Sequence, residues 1–503
     1  MTYSLMGKLT IDEMATFCKR KGFVYQNSEI YGGLAGFYDF GHLGVELKNN
    51  IKKEWWKTFV QRRDDVVGID GSIISNPKVW RASGHAKGFD DFIVECKKRK
   101  QKFRADQLIE EVLELDTHGM KLEDIKRVLD EYKERFEKEG YDLGEPKRFN
   151  LMFTTNIGPE QADKSEAFLR PETAQLIFAD FRLVAENARL KLPFGIAQQG
   201  KAFRNEISPR DFLFRMREFE QMELEYFVHP EKQEDCEFID EVLDYELNIY
   251  SAEMQSKKEN MEKMTIKDAL DKKIIKTKWH AYWLAQMHKW FVDLGARAHH
   301  FRIRQHVKDE LSHYAADTWD LEYEFPFGWK ELQGLSNRTD FDLKQHMQHS
   351  KKDLSLFDEE TKKKIVPHVI CEPSQGVERA FLVFMFDAYN YDEKRENVVL
   401  KLNPKLAPVK LGVFPLVSNK KEIVDKAREV HEMLKCCWTS TFDTGGSIGR
   451  RYARADEMGV VACITVDFDS LKDDSVTIRA RDTTEQVRVK ISELRNRVKD
   501  IIK

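Results

Sequence analysis

The stretch Gly200–Tyr226 carries polar and aromatic side chains at alternate positions. They are Arg204 and Glu206 in its first half, and Arg217, Phe219, Gln221 and Glu223 in its second. Alternate residues of a strand project from one face, so we expect two strands that share a polar face, joined by a charged loop. Guanidinium groups bind phosphate oxygens in planar, bidentate geometry, and aromatic rings stack on bases. Such a face suits ATP bound beside an amino acid; a solvated hairpin with an ordinary polar mix is the alternative.

A second candidate site lies in the stretch Cys371–Tyr389, where an apolar strand turns into an apolar helix. The strand ends in Glu-Pro-Ser-Gln-Gly, closing at Gly376, and Arg379 falls in the first turn of the predicted helix. The free N–H groups of a helix N-terminus bind anions, and a nearby guanidinium strengthens such a site. We therefore expect Arg379 to bind phosphate; a surface arginine that caps a core helix is the alternative.

Length and composition indicate a globular protein of two or three domains. Of the 503 residues, 41% are hydrophobic and 33% charged, and no apolar run is long enough to span a bilayer. The N-terminal residues lack a basic segment followed by an apolar one, so no secretory signal is expected. Seven cysteines without disulfide spacing or a CxxC pair favour a reducing cytoplasm and argue against a cysteine-based zinc site. Cys436 and Cys437 are predicted to be buried, and the histidines show no zinc-ligand spacing.

The elements around these sites are predicted from hydrophobic periodicity. An amphipathic helix is expected over Leu47–Val60, followed by an apolar strand at Val66–Ile74 that stops before Pro77. Two charged segments, about 101–145 and 231–277, are rich in helix formers and are predicted to be helical insertions. Short strands broken by Gly and Pro lie between and after them.

Pro404 and Pro408 mark a linker to a C-terminal domain, residues 405–503. Its patterns alternate between strand and helix, including a helix that opens at Asn419 with Glu422 as a capping box. This alternation predicts a small α/β domain. The domain holds 19 Lys and Arg against 15 Asp and Glu, a balance of +4, whereas the rest of the chain is −8. A polyanion partner at this end and chance variation in surface charge explain that difference equally well.

The first site resembles motif 2 of the class II aminoacyl-tRNA synthetases. The matching positions are Phe203, Arg204, Glu206, Arg215, Phe219 and Glu223. The second site resembles motif 3, whose Gly-x-x-Arg sequence matches Gly376 and Arg379. The helix and strand of Leu47–Pro77 resemble motif 1, which forms the dimer contact in this class; Trp55, Trp56 and Phe59 offer more apolar surface than one helix face needs.

Longer segments resemble the homodimeric glycyl-tRNA synthetases, and the likeness covers nearly the whole chain. The matching segments are Tyr31–Gly44, Arg104–Glu111, Phe168–Gln175, Leu311–Leu343 and Ser447–Gly459. The chain departs from the family pattern at His42, where proline is usual, and near Cys96, where some members have paired cysteines. The two insertions match the family least well.

The resemblance implies roles for individual residues. It implies ATP contacts at Arg204, Asn205, Glu206, Phe214, Arg215, Phe219, Glu331, Leu332, Gly376 and Arg379. It implies glycine contacts at Arg104, Glu172, Phe219, Glu220, Gln221, Met222, Glu223, Arg338, Glu372, Ser374 and Gly376, and tRNA contacts at Arg450, Arg451 and Arg454. Arg204 and Arg379 are the implied catalytic residues, and Glu331 is the implied ligand of Mg²⁺.

The carboxylates in this set suit a small cationic substrate. Glu172, Glu223, Glu331 and Glu372 would crowd negative charge around an ammonium group, whereas isolated glutamates would simply be solvated. Glycine is recognised when the pocket binds its ammonium group and leaves no space at Cα, and steric exclusion of larger side chains needs no editing site.

The implied fold is an α+β catalytic domain built on an antiparallel sheet, residues 1–400 with the two insertions, followed by an α/β anticodon-binding domain, residues 405–503. The implied activity is ATP-dependent attachment of glycine to tRNA(Gly) through a glycyl-adenylate, releasing AMP and diphosphate, by a cytoplasmic homodimer without membrane partners. Two alternatives stay open: a non-catalytic relative that binds nucleic acid, and a class II synthetase for another small amino acid. The first should have lost Arg204, Glu206 or Arg379, and this chain keeps all three.

Overall fold

The computed structural model describes residues 9–115, 117, 120–158, 166–311 and 315–502. Residues 1–8, predicted to carry no secretory signal, and Ser312–Tyr314 of the Leu311–Leu343 segment lie outside this description. Its helices are α1 Ile11–Lys21, α2 His42–Trp56, α3 Pro77–Ala82, α4 His85–Gly88, α5 Ala105–Leu113, α6 Leu122–Glu131, α7 Lys133–Lys138, α8 Ala174–Asn187, α9 Ala252–Lys257, α10 Ile266–Asp271, α11 Lys278–Asp293, α12 Phe341–Ser350, α13 Val377–Ala388, α14 Lys421–Lys435, α15 Ile448–Met458, α16 Ser470–Asp473 and α17 Leu494–Ile502.

The strands are β1 Val24–Gln26, β2 Tyr38–Phe40, β3 Val66–Ile69, β4 Asp90–Cys96, β5 Gln101–Arg104, β6 Lys147–Asn150, β7 Phe153–Asn156, β8 Glu166–Leu169, β9 Phe194–Phe203, β10 Glu218–Val228, β11 Glu246–Tyr250, β12 Glu262–Thr265, β13 Phe301–Gln305, β14 Asp317–Phe325, β15 Gly328–Asn337, β16 Leu356–Asp358, β17 Lys363–Ile365, β18 His368–Gly376, β19 Tyr389–Asp392, β20 Asn397–Leu400, β21 Leu411–Pro415, β22 Ser440–Phe442, β23 Ala462–Val466, β24 Ser475–Ala480 and β25 Gln486–Lys490. None of the described helices is long and apolar enough to cross a membrane.

The larger unit is built on a mostly antiparallel sheet with the order β12-β11-β13-β14-β15-β18-β10-β9-β3. The pairs β11–β13 and β3–β9 are parallel, and the other neighbours are antiparallel. One face packs on α2, α11 and α13 in the main hydrophobic core, and the opposite face packs on α8 and α12 at one end. The rest of that opposite face remains open for ligands. The predicted α+β fold on an antiparallel sheet is confirmed.

Strand β10 shows how the two faces are divided. Met222 and Leu224 are buried in the main core with 0% exposure, while Phe219 and Glu223 face the open side. The predicted hairpin with β9 is present, and its register pairs Phe219 with Ala202 and Gln221 with Gly200. Strand β9 ends at Phe203, three residues before the end that the pattern of Arg204 and Glu206 predicts.

The segment 231–277 is not a helical insertion, which corrects the sequence prediction. It contains β11 and β12, which extend the main sheet, and only the short helices α9 and α10. Leu247 and Ile249 alternate with more exposed residues and are buried in the main core, so tertiary packing overrides the helix propensity of the flanking charged residues. The segment 101–145 begins with β5, which pairs with β4, and continues with the predicted helices α5–α7 around their own small core.

The predicted helix Leu47–Val60 falls within α2 and the π-helical turn Lys57–Gln61 that continues it. Two of its aromatic side chains pack in the core of the chain. Trp55 and Phe59 are 1% and 2% exposed, and the Phe59 ring lies 6.3 Å from the ring of Trp283. The inference that these two side chains are spare apolar surface was therefore wrong. Pro77 begins α3.

The C-terminal unit has the predicted α/β composition, with a sheet of order β22-β21-β23-β24-β25 and its own core under α14 and α17. The predicted capping box at Asn419 does not form, because helix α14 begins at Lys421 with Lys420 as its N-cap. The prediction that Cys436 and Cys437 are buried is also wrong, since both are exposed just after that helix. The core of the larger unit continues through Leu406 and Ala407.

Candidate active site

The open face of the main sheet forms a cavity of about 420 Å³. It receives side chains from the end of β9, from β10, β15 and β18, from the loop before α8 and from the start of α13. The predicted site residues in its lining are Arg104, Glu172, Arg204, Glu206, Phe214, Arg215, Phe219, Gln221, Glu223, Glu331, Leu332, Arg338, Glu372, Ser374, Gly376 and Arg379. Residues from five separate stretches of the chain therefore meet around one space.

Three of the residues implied by the resemblance do not line the cavity with their side chains. Glu220 and Met222 occupy the alternate positions of β10 and project to the opposite face. The Glu220 carboxylate lies 2.7 Å from the Lys48 ammonium and 2.6 Å from that of Lys52. Asn205 uses its backbone N–H to donate to the carbonyl of Leu151 at 2.8 Å. Period-two alternation, applied strictly, excludes Glu220 and Met222.

Arg204 lies against the aromatic part of the cavity. Its guanidinium carbon is 5.4 Å from the ring centroids of both Phe219 and Phe89, and its Nε donates to the carbonyl of Pro171 at 3.1 Å. Because the strand ends before it, Arg204 is held by these contacts rather than by strand pairing alone; its N–H still donates to the carbonyl of Arg217 at 2.9 Å. Arg217 itself does not line the cavity, contrary to the predicted shared face.

Arg379 occupies the third position of α13, at the N-terminal end of that helix. Its guanidinium donates to the carbonyl of Glu331 at 2.8 Å and lies 4.5 Å from the ring centroid of Phe214. Burial and the charges of the neighbouring Arg104 and Arg379 lower the pKa of Arg215, although Glu206 opposes this effect. Each of these guanidinium groups also faces a carboxylate: Arg104 faces Asp91 and Asp106, Arg215 faces Glu206, and Arg379 faces Glu331. This arginine-rich part of the cavity is the one that suits phosphate groups.

The other part of the cavity is acidic and is organised by Arg338, which is 3% exposed. Its guanidinium donates to Asp342 at 2.7 and 2.9 Å and to Glu372 at 2.8 and 2.9 Å. Glu223 accepts a hydrogen bond from the N–H of Thr173 at 3.1 Å. The Gln221 amide donates to the Ser374 hydroxyl at 3.2 Å. This end suits a small group that is positively charged.

Burial and neighbouring charges shift the pKa values of these carboxyl groups in different directions. Burial raises the pKa of Glu372 to about 8, together with the charges of Glu223 and Glu172, while Arg338 opposes the rise. Burial and the charge of Glu172 also raise the pKa of Glu223. Burial alone would raise the pKa of Glu172, but His85, at 3.2 Å, and Arg338 outweigh it and lower that pKa.

Sequence reasoning missed four residues at the acidic end. They are His85, Thr173, Glu225 and Asp342. Asp342 stands four residues after Arg338, a spacing that brings side chains together on a helix, and Glu225 continues the alternation that indicated Glu223. His85 lies on a short helix far away in sequence, and no local pattern points to it.

Glu331 and Asp320 offer carboxylate oxygens on the neighbouring strands β15 and β14. Burial raises the pKa of Asp320 to about 6, and the charge of Glu331 contributes to that rise even though His306 bonds to Asp320 at 2.7 Å. Two carboxylates that repel each other beside a phosphate region are suitable ligands for Mg²⁺. The residues therefore fit the metal that the resemblance implies.

The three arginines expected to contact tRNA differ in accessibility. Arg450 is exposed at the start of α15. Arg451 is 1% exposed and donates to the carbonyl of Gly446 at 3.0 Å, so its side chain is not available to a partner on the surface. Arg454 donates through Nε to Asp443 at 3.0 Å. Burial of Arg451 corrects the expectation that all three are surface contacts.

Comparison with known proteins gives the family of this chain. Residues 153–388 match the family model of the tRNA synthetase class II core domain (G, H, P, S and T), and residues 410–501 match that of the anticodon-binding domain. The chain is 45% identical over 495 residues to a glycine–tRNA ligase of Caldanaerobacter subterraneus subsp. tengcongensis, covering 97% of each chain. It is 44% identical to the glycine–tRNA ligases of Acetivibrio thermocellus, covering 97% of each chain, and of Geobacillus thermodenitrificans, covering 97% of this chain and 96% of that one.

The chain belongs to the glycine–tRNA ligase family. A solved structure of prolyl-tRNA synthetase from Cryptosporidium parvum, complexed with L-proline and AMP, matches 99% of this chain and 79% of its own with a TM-score of 0.57. At 14% identity this likeness concerns the fold alone. The predicted class II fold and the predicted family are confirmed.

We expect the stability of Glu372→Gln relative to wild type to increase as pH rises. A carboxyl group with a pKa of about 8 in the folded chain and 4.5 as its ordinary value holds a proton that the unfolded chain has lost, so stability falls as pH rises between these values. Glutamine cannot titrate, and the melting temperature of the variant relative to wild type should therefore increase from pH 5.5 to pH 8. Glu95→Gln, at an exposed position of β4, should show no such trend. If the difference in melting temperature between Glu372→Gln and wild type did not change with pH, the raised pKa of Glu372 would be contradicted.

Proposed function

We propose that this protein attaches glycine to tRNA(Gly) with ATP, through a glycyl-adenylate, and releases AMP and diphosphate. The proposal rests mainly on one cavity, which has a cluster of arginine side chains at one end and an acidic pocket at the other end. The family membership supports the same activity. The presence of Arg204, Glu206 and Arg379 in the cavity lining favours catalysis over a purely nucleic-acid-binding role.

The acidic pocket is the site we assign to glycine. Its ammonium group would lie near Glu223 and Glu372, while Ser374 and the Gln221 amide that donates to it would limit the space at Cα. The glycine carboxylate would point towards Arg204 and the phosphate region. A substrate with a larger side chain would clash at Cα, which explains specificity without a second hydrolytic site.

The arginine cluster is the site we assign to the phosphates of ATP. A carboxylate oxygen of glycine attacks the α-phosphorus, the bond to diphosphate breaks, and negative charge accumulates on phosphate oxygens that Arg204 and Arg379 stabilise. Phe219 would stack on adenine, and Glu206 would accept from its amino group. The 3′-terminal hydroxyl of tRNA then attacks the carbonyl carbon of the adenylate, and AMP leaves.

Mg²⁺ would be held by Glu331 and Asp320. The ion neutralises phosphate charge when bound and favours departure of diphosphate. Arg379 lies 3.5 Å from the Glu331 carboxylate, so the same carboxylate orients an arginine and supplies a metal ligand. We also propose a cytoplasmic location, which the seven free thiols support.

Glycine-dependent exchange between ATP and labelled diphosphate tests the proposed function directly. We expect robust exchange with glycine and far weaker exchange with alanine or serine, because Ser374 and the Gln221 amide would limit the space at Cα. The assay needs only purified protein, ATP, Mg²⁺ and each amino acid. Strong exchange with another amino acid, or none with glycine, would overturn the proposal.

Arg204→Ala and Arg379→Ala should each reduce the exchange rate by about 10²–10³, the usual effect of removing one preorganised group that stabilises transition-state charge. Lys201→Ala is a suitable control, because Lys201 lies on β9, three residues before Arg204, and pairs with Glu218 at the surface. Circular dichroism and melting temperature establish that the variants fold. Near-normal turnover in a folded arginine variant would refute its catalytic role.

We propose that the protein is a homodimer that associates through the segment Leu47–Pro77. The resemblance to the homodimeric glycyl-tRNA synthetases supports this contact, as do the apolar residues Ile73 and Ile74, which are 36% and 40% exposed. Light scattering at micromolar concentration should give about twice the 59.1 kDa of one chain. A mass near that of one chain would refute this assembly.

The C-terminal domain is proposed to bind the anticodon of tRNA, with Arg450 as an accessible contact. Unpaired anticodon bases are open to recognition along their edges, as sequence-specific RNA binding requires. Arg450→Ala should raise KM for tRNA without changing diphosphate exchange. It should also lower the salt dependence of tRNA binding by about 0.7 in the log–log slope, if a phosphate contact is lost. Lys472→Ala, on α16 of the same domain, is the control. An unchanged KM and slope for Arg450→Ala would contradict the contact.

A further inference from the structure

Glu225 is a fully buried carboxyl group behind the proposed glycine pocket, and the proposed mechanism does not use it. It is 0% exposed, and neither of its oxygens has a hydrogen-bond partner among the described residues. Buried polar groups are nearly always hydrogen-bonded, and an ionised carboxylate without a partner is especially unfavourable. Glu225 therefore requires an explanation other than packing.

The pairing of β10 with β18 places Glu225 directly across from Glu372. Tyr226 pairs with Cys371 and Glu223 pairs with Ser374, with regular register between them. The carboxyl oxygens of Glu223, Glu225 and Glu372 lie within 4.8 Å of one another. Like charges at directly opposed positions of neighbouring strands repel, so the three groups are not all ionised in the empty pocket.

Hydrogen bonding indicates which of the three lacks a partner for its charge. Glu372 accepts from Arg338, and Glu223 accepts from the N–H and the hydroxyl of Thr173. The groups that act on Glu225 from the surrounding elements are the charges of Glu223, Glu372, Arg338 and Asp342 and the thiol of Cys371. Its neighbour on β9, Ile196, is apolar. Burial raises the pKa of Glu225 well above its ordinary value, and the charge of Glu372 adds to this effect.

We propose that Glu225 and Glu372 share one proton in the empty pocket, and that this proton is released to solvent when the ammonium group of the amino acid binds. The pair then carries two negative charges against the incoming positive charge and that of Arg338. Glu225 is thus a positioning residue that acts through Glu372, and amino acid affinity is coupled to pH. The inference rests on the proposed glycine site and adds a role for a residue outside its lining.

Proton linkage gives the expected dependence of binding on pH. Bringing a positive charge beside two carboxyl groups favours their ionised forms. When binding releases one proton, the dissociation constant changes by up to about tenfold per pH unit. Wild-type protein should therefore bind glycine more tightly as pH rises from 6.5 to 8.5.

Isothermal titration calorimetry of the full-length protein with glycine tests the inference. Titrations at pH 6.5, 7.5 and 8.5, each in two non-phosphate buffers that titrate near that pH and differ in ionisation enthalpy, give the number of protons released from the difference in observed enthalpy. We expect wild type to release up to one proton per glycine. Glu225→Gln should release fewer protons than wild type and show a weaker dependence of Kd on pH, because only Glu372 of the pair can still titrate. Its affinity for glycine should be weaker than that of wild type at pH 8.5 and similar at pH 6.5. Glu218→Gln, half-exposed at the start of the same strand, should behave as wild type.

The possible results separate this inference from the proposed function. Absence of glycine binding to wild-type protein overturns the proposed function and this inference with it. Glycine binding by wild type without proton release at any of the three pH values overturns the inference alone. Release by Glu225→Gln equal to that of wild type also overturns it. A kinetic readout adds to the test: Glu225→Gln should raise KM for glycine in the exchange assay at pH 8.5 and leave KM for ATP unchanged.

Discussion

The geometry of the site depends on one buried guanidinium, that of Arg338. It follows β15 directly and reaches Glu372 on β18 and Asp342 on α12, with 3% of its own surface exposed. Without it, the carboxyl groups on β10 and β18 would face each other with no opposing charge between them. Removing one partner from such a buried network typically costs about 3–5 kcal/mol, because the remaining charges lose their compensation. The antiparallel order β15-β18-β10 brings Arg338, Glu372 and the carboxyl groups on β10 together, although these three parts of the site are far apart in sequence.

A second buried ionic network lies on the opposite face of strand β10. Lys48 on α2 contacts Glu220 on β10 at 2.7 Å and Glu378 on α13 at 3.0 Å, and the N–H of Glu220 donates to Glu378 at 2.9 Å. Glu378 precedes Arg379, so this network also sets the start of α13 and the direction of the arginine assigned to ATP. Strand β10 therefore contributes to an ionic network on each face: one lines the pocket, and the other holds α13, the helix of Arg379, in place.

Period-two alternation predicted the part of the site that lies on β10, because an antiparallel strand with one open face obeys it closely. The family resemblance added Glu220 to the predicted site, although strict alternation along the strand places its side chain on the opposite face. Glu225 was missed because its side chain lies behind the pocket, where a sequence pattern gives no sign of burial. The segment 231–277 was predicted as helix from composition, but Leu247 and Ile249 find better burial at the edge of the sheet. Arg451 was expected at the surface because charge alone does not show that an arginine is tied down by backbone carbonyls.

Helix α2 connects the catalytic site to the C-terminal domain. Two residues after Lys48, the Asn50 amide donates to the carbonyls of Leu406 and Ala407 at 3.1 and 3.2 Å, and the Lys410 ammonium donates to the Ala407 carbonyl at 2.8 Å. These hydrogen bonds hold the predicted linker against α2. A displacement of the C-terminal domain on tRNA binding would thus act on α2, and through Lys48 on Glu378 and the start of α13. The proposed dimer segment Leu47–Pro77 begins on this helix, but the exposed residues Ile73 and Ile74 that support the contact lie beyond β3.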